Sequence, residues 1–136
     1  MAARLITTYV LNDRRMIDEP FYRNAIKLFI VRSMDAVPRG YIWIPDLAPS
    51  ESFFKKYKYE SLPWDKYVDE FRIDMLSRTK MVDMINLVKT RLTEGRDVIM
   101  CCFEKDYKKC HRFILSNYFA ELGFECGEYL REDEEI

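Results

Sequence analysis

Two periods of apolar and polar positions alternate along this chain. Leu5 to Leu11, rich in Thr, Ile, Tyr and Val, reads as a strand. Residues 12–25 are polar and hold Pro20, which suits a loop or a short helix. Lys27 to Arg32 is a short apolar run and a second strand, and Tyr41 to Ile44, closed by Pro45, is a third. Asp46 to Glu51 looks like a helix start, with Asp46 or Ser50 as the cap. Pro63 sits where the first turn of a helix tolerates proline. After it, Trp64, Tyr67, Val68, Phe71 and Met75 recur at helical spacing, and so do Met81, Ile85, Val88 and Leu92, with Gly95 as the stop. Val98 to Phe103 is unbroken apolar sequence between charges, the pattern of a central parallel strand covered on both faces. Phe113, Ile114, Tyr118, Phe119 and Leu122 form another helical face, stopped by Gly123, and Glu125 to Leu130 reads as a final strand.

Strands alternating with helices imply βαβ units. The expected fold is a single α/β domain over residues 1–136, a small, mainly parallel sheet flanked by helices in Rossmann-like layers. The acidic stretch 131–136 is expected to fray as a solvated tail. In such sheets ligands bind beyond the carboxyl ends of the strands. The loops after Val10, Arg32 and Cys102 therefore belong to one functional edge.

Composition changes this picture little. The 136 residues are 49% hydrophobic and 33% charged, which excludes a disordered chain, and no apolar run approaches the roughly 18 residues that cross a bilayer. Met1 to Ile6 turns polar too soon for a signal peptide, so a cytoplasmic location without membrane partners is expected. With 22 basic and 23 acidic residues the net charge is −1, so any attraction for nucleic acid must be local. The four cysteines, Cys101, Cys102, Cys110 and Cys126, are expected to be reduced.

Candidate chemistry concentrates between Cys102 and Arg112. A buried strand ends near Cys102, a short polar loop follows, and a helix starts near Cys110. A helix start favours anions and, beside Lys108, Lys109, His111 and Arg112, depresses the pKa of a thiol. Cys110 thus has the setting of a thiolate. Arg112 offers a two-pronged grip on phosphate or carboxylate, Glu104 can orient it or act as a general base, and His111 is the single histidine. Each residue also has a plain structural reading: core cysteines, a packing histidine, a loop-fixing arginine. A phosphatase loop needs Cys, five residues, then Arg, which fails from both Cys102 and Cys110, and the loop lacks glycine. Zinc motifs want cysteine pairs two to four residues apart, so no metal ligand and no cofactor is expected. Phe53 to Tyr59 interleaves aromatics with lysines, which fits either base stacking or an amphipathic helix, and Arg14, Arg15 and Arg39 would add to a patch if near.

These residues resemble a known family, the domain of unknown function 488 family, in which an apolar strand ending in Cys-x-Glu leads through a short loop to Cys-His-Arg. Here those are Cys102-Phe103-Glu104 and Cys110-His111-Arg112 at matching separation. Leu47-Ala48-Pro49-Ser50 followed by Tyr57-Lys58, Trp64-Asp65-Lys66-Tyr67, Thr7-Thr8-Tyr9 and Arg32 are similar to further family stretches. The resemblance implies a small α/β domain with a cleft lined by these residues, to which Thr8, Tyr9 and Arg32 come from neighbouring strand ends. Three functions follow as expectations: a cleft for a phosphate-bearing small molecule, best a nucleotide, with Cys102 or Cys110 as a nucleophile; a non-catalytic protein binding single-stranded nucleic acid; or a structural Cys-His-Arg device with function elsewhere.

Overall fold

A computed structural model describes residues 3–34, 36–60 and 62–130, the side chains of 58–60 excepted; the expected tail at 131–136 lies outside the described residues. Five strands, β1 (Arg4–Tyr9), β2 (Ile26–Phe29), β3 (Ile42–Trp43), β4 (Val98–Cys102) and β5 (Glu125–Glu128), form one sheet in the order β3-β2-β4-β1-β5. Every pairing is parallel. The helices are α1 (Val10–Met16), α2 (Glu51–Glu60), α3 (Trp64–Ser77), α4 (Thr79–Thr93) and α5 (His111–Glu121), with short 3-10 turns at Pro45–Leu47 and Tyr107–Lys109.

The connection through α1 runs one way along the sheet, whereas those through α2 to α4 and through α5 run the other way. Right-handed crossovers therefore place α1 on one face and α2 to α5 on the opposite face. The central strand β4 is buried at all five positions, as its unbroken apolar sequence requires. On α4 the buried residues are Met81, Ile85, Val88 and Leu92, each removing an apolar side chain from water for roughly 1.5–3 kcal/mol. Ser50 starts α2 by accepting a hydrogen bond at its Oγ from the Phe53 N–H, 3.2 Å. Gly95 follows α4 with φ +91°, a conformation a side chain would strain. None of the helices is long and apolar enough to cross a membrane among the described residues.

Strand boundaries differ from the sequence reading, β4 ending at Cys102 rather than Phe103 and β5 at Glu128 rather than Leu130. The first strand ends at Tyr9 rather than Leu11, because Val10 begins α1, whose inward face carries Asn12, Asp13 and Met16. Polar residues on the buried side of α1 hide its helical period. The second strand stops at Phe29, and the third is only two residues long with Ile42 and Trp43 exposed, as befits a short edge strand.

Candidate functional site

The functional edge is built where β4 ends. From Cys102 the chain enters a four-residue loop and a 3-10 turn capped by the Asp106 carboxylate, which accepts from the Lys108 N–H at 3.2 Å. Cys110, in extended conformation, then caps α5. Strand alternation sends Cys102 to the face of α5 and Cys101 to the face of α1.

Cys102, Cys110 and His111 converge. His111 Nε2 lies 2.6 Å from the Ile30 carbonyl, which can only accept, so Nε2 carries a hydrogen and Nδ1 faces Cys110 Sγ at 3.7 Å. Cys102 Sγ stands 3.6 Å from Nε2. The hydrogen bond from Cys102, then the charges of His111 and Arg112, hold the Cys110 thiol well below its ordinary range despite burial. Burial and the neighbouring Cys110 push Cys102 far the other way. The two thiols are thus pushed in opposite directions, and Cys110 is the one whose anion its surroundings favour. Their donor atoms and that of His111 lie within 4.8 Å of one another, three soft ligands where the sequence spacing suggested none, though one short of a closed four-ligand set.

A cleft of about 290 Å³ opens over this trio. Phe54, Tyr57, Tyr67 and Phe103 supply aromatic walls, Arg32 and Lys109 positive charge, and Glu104 a carboxylate. Arg32 stacks its guanidinium over Phe54 at 4.7 Å. Tyr67 packs flat on Trp64, with centroids 4.8 Å apart. Burial, followed by the Cys110 charge, raises its hydroxyl pKa, so Tyr67 remains a neutral phenol on the cleft wall.

Arg112 does not reach this cleft. It is fully buried, with Nε and Nη2 on the two oxygens of Glu128 at 2.9 and 3.0 Å, and with Nη1 and Nη2 on the backbone carbonyls of Glu104 and Lys105 at 2.6 and 3.4 Å. Burial opposes the guanidinium charge, but Glu128 and the Cys110 charge outweigh it. Where a ligand grip was expected, the residue clasps the loop after β4 to the end of β5. Nor is Glu104 its carboxylate partner; that group is exposed at the cleft rim, and only the Glu104 carbonyl is used. Glu128 also accepts from Thr7 Oγ1 at 2.8 Å.

Of the residues expected from neighbouring strands, Arg32 arrives at the cleft. Tyr9 pairs in register with Cys102 and shares its face, but is buried and does not line the cleft. Thr8 pairs with Cys101 on the α1 face, where its hydroxyl bonds the Tyr9 carbonyl at 3.4 Å, so the sheet separates it from Cys102 and Cys110. The aromatic–lysine helix divides: Phe53 is buried, Phe54 and Tyr57 line the cleft, and Lys55 and Lys56 pair with Glu51 and Glu70. Lys58 and Tyr59 lie outside the described side chains. Glu128 was missed by sequence reasoning, and Tyr67 was read there from its helical spacing and not as a cleft wall. For Glu128 a signal existed: with Cys126 it occupies the inward phase of its strand, and an inward carboxylate demands a cation.

Comparison with curated proteins and with solved structures gives no match. A family model, DUF488-N3a, described as the active DUF488-N3 subclade, matches residues 14–123. That span runs from within α1 to the turn after α5 and includes Cys102, Cys110, His111 and Arg112, while β1 and β5, which supply Thr7 and Glu128, lie beyond it. On that match across most of its length, the chain belongs to the DUF488-N3a family.

Proposed function

We propose that the cleft binds a phosphate-bearing small molecule, a nucleotide being the best-fitting class, and that Cys110 acts on it as a nucleophile. The observation that carries this reading is the Cys110 sulfur, 3.7 Å from His111 Nδ1, at the floor of an aromatic-walled, cation-rimmed cleft. Aromatic faces suit a base, and Arg32 and Lys109 suit a phosphate. The cleft volume lies at the lower end of the range for small-molecule sites. The description of the family as an active subclade agrees with a reacting residue.

In the proposed step the Cys110 sulfur donates an electron pair to an electrophilic carbon of the ligand, and the bond from that carbon to its leaving group breaks. The leaving group departs with the bonding electrons and takes a proton from Nδ1 of His111, which enters the step protonated on both ring nitrogens. Water then cleaves the thiol adduct, giving its proton back to His111 and returning the sulfur as thiolate. Cys102 holds the thiolate by its S–H, and Arg112 positions the loop without touching the ligand. The reading requires a compartment that keeps both thiols reduced, the cytoplasm.

The test is a panel of nucleoside mono- and diphosphates followed by calorimetry and by intact-mass detection of a covalent adduct. Binding that Arg32→Ala weakens, with an adduct that Cys110→Ser removes, is the expected result. Failure of every phosphorylated ligand to bind or to protect Cys110 from alkylation overturns it.

A further inference from the structure

We propose that a second cleft, on the face of the sheet covered by α1, binds the phosphodiester backbone of a single-stranded nucleic acid. This cleft encloses about 680 Å³ and lies between α1, the segment that leads into β2, and the turn before β3. Arg14, Arg23, Lys27 and Arg39 line it, against one carboxylate, Asp13. A chain of net charge −1 thus gathers four cations in one concave surface.

These charges are available. Arg14, Arg23 and Arg39 are exposed and make no ion pair or hydrogen bond among the described residues, whereas Arg72, Arg78, Arg91 and Arg112 all do. Asp13 stays in the cleft but pairs with none of these arginines: its Oδ1 accepts from the Tyr41 hydroxyl at 2.5 Å and from the Tyr22 hydroxyl at 2.9 Å. Lys27 sits with Nζ 4.5 Å from the Tyr22 ring centroid. Burial lowers its pKa, Asp13 opposes that lowering and Arg96 adds to it, so a ligand anion would relieve an uncomfortable cation. Arg39 is held at the tip of a turn closed by Tyr41 N–H on the Pro38 carbonyl, 3.1 Å, with Gly40 at φ +86°.

The kind of partner follows from the chemistry. Cations spread along a concave groove track a row of phosphates, and a cleft rather than a protruding helix admits one strand. Because the Tyr22 ring is already capped by Lys27, base stacking contributes little and recognition is independent of sequence. The proposal does not rest on the thiol cleft, which lies across the sheet.

The experiment is fluorescence anisotropy of a labelled oligothymidylate with the full chain and with Arg23→Glu and Arg39→Glu. Four phosphate contacts on a single strand predict a log–log salt slope of about −3. Each charge reversal should weaken binding about tenfold and reduce the slope by about 1. Alkylation of Cys110 should stay unchanged, which shows that the fold and the thiol cleft are intact. Absent binding, binding insensitive to both reversals, binding lost instead with Lys109→Glu, or displacement by tripolyphosphate at equal phosphate concentration each overturns the proposal.

Discussion

Replacing Glu128 by Gln tests whether Arg112 is a clasp rather than a ligand contact. Both partners are nearly inaccessible, with side-chain exposures of 0% for Arg112 and 4% for Glu128. Deleting one charge of such a pair leaves the other buried without compensation, which costs about 3–5 kcal/mol. Gln keeps the shape and one acceptor, and the Glu104 and Lys105 carbonyls still receive Arg112, so about 3 kcal/mol is the expected loss. For a domain of this size that lowers Tm by roughly 10 °C. Denaturant titration measures the free energy, and differential scanning calorimetry the shift. Replacing both partners, Arg112→Met with Glu128→Leu, removes charge and counter-charge together and should recover most of the stability. The double variant should nevertheless raise the Cys110 pKa, since Arg112 is one of the charges that lower it. A loss under about 1 kcal/mol for Glu128→Gln, or a double variant no more stable than the single one, would refute the clasp.

Other outcomes follow from the same geometry. Alkylation of Cys110 should stay fast through neutral pH and decline only as pH falls through its depressed pKa, well under the ordinary 8.5 or so, while Cys101 and Cys102 label only on unfolding; mass spectrometry resolves the sites. Because the folded pKa of Cys110 is depressed, its contribution to stability is present above the ordinary thiol pKa and lost as pH falls through the folded one, which urea titrations across that window should register. His111→Asn should move the alkylation midpoint of Cys110 upward, because the ring opposite Sγ helps hold the thiolate. Ser50→Ala removes the side-chain acceptor at the start of α2 and should cost about 1 kcal/mol, with Cys110 reactivity unchanged.

The fold was legible wherever burial is one-sided or total. The stripes Met81-Ile85-Val88-Leu92 and Tyr67-Phe71-Met75 and the apolar run of β4 have no polar member at a buried position, so period and environment agree. They disagree in α1, whose buried face holds Asn12 and Asp13. The site divides in the same way. Cys102, Cys110 and His111 are close in sequence across one strand–loop–helix, and local geometry suffices to bring them together. The partner of Arg112 depends instead on the crossover that sets β5 beside β1, and the assignment of Thr8 and Tyr9 to faces depends on where β1 stops. Those are facts of topology and register, which residue types alone do not specify.

Two thiols eight positions apart have pKa values pushed in opposite directions because their surroundings differ. Cys102 is the last residue of a strand buried on both faces, where a charge meets no partial positive end and loses its water. Cys110 is the N-cap of α5, where the hydrogen bond from Cys102 and the charges of His111 and Arg112 favour the anion. Burial alone would raise both, so the difference comes first from the hydrogen bond between the two thiols and then from the His111 charge beside Cys110. In the proposed function this difference is what assigns Cys102 as donor and Cys110 as nucleophile, with the cleft opening above Cys110 at the edge where β4 hands over to α5.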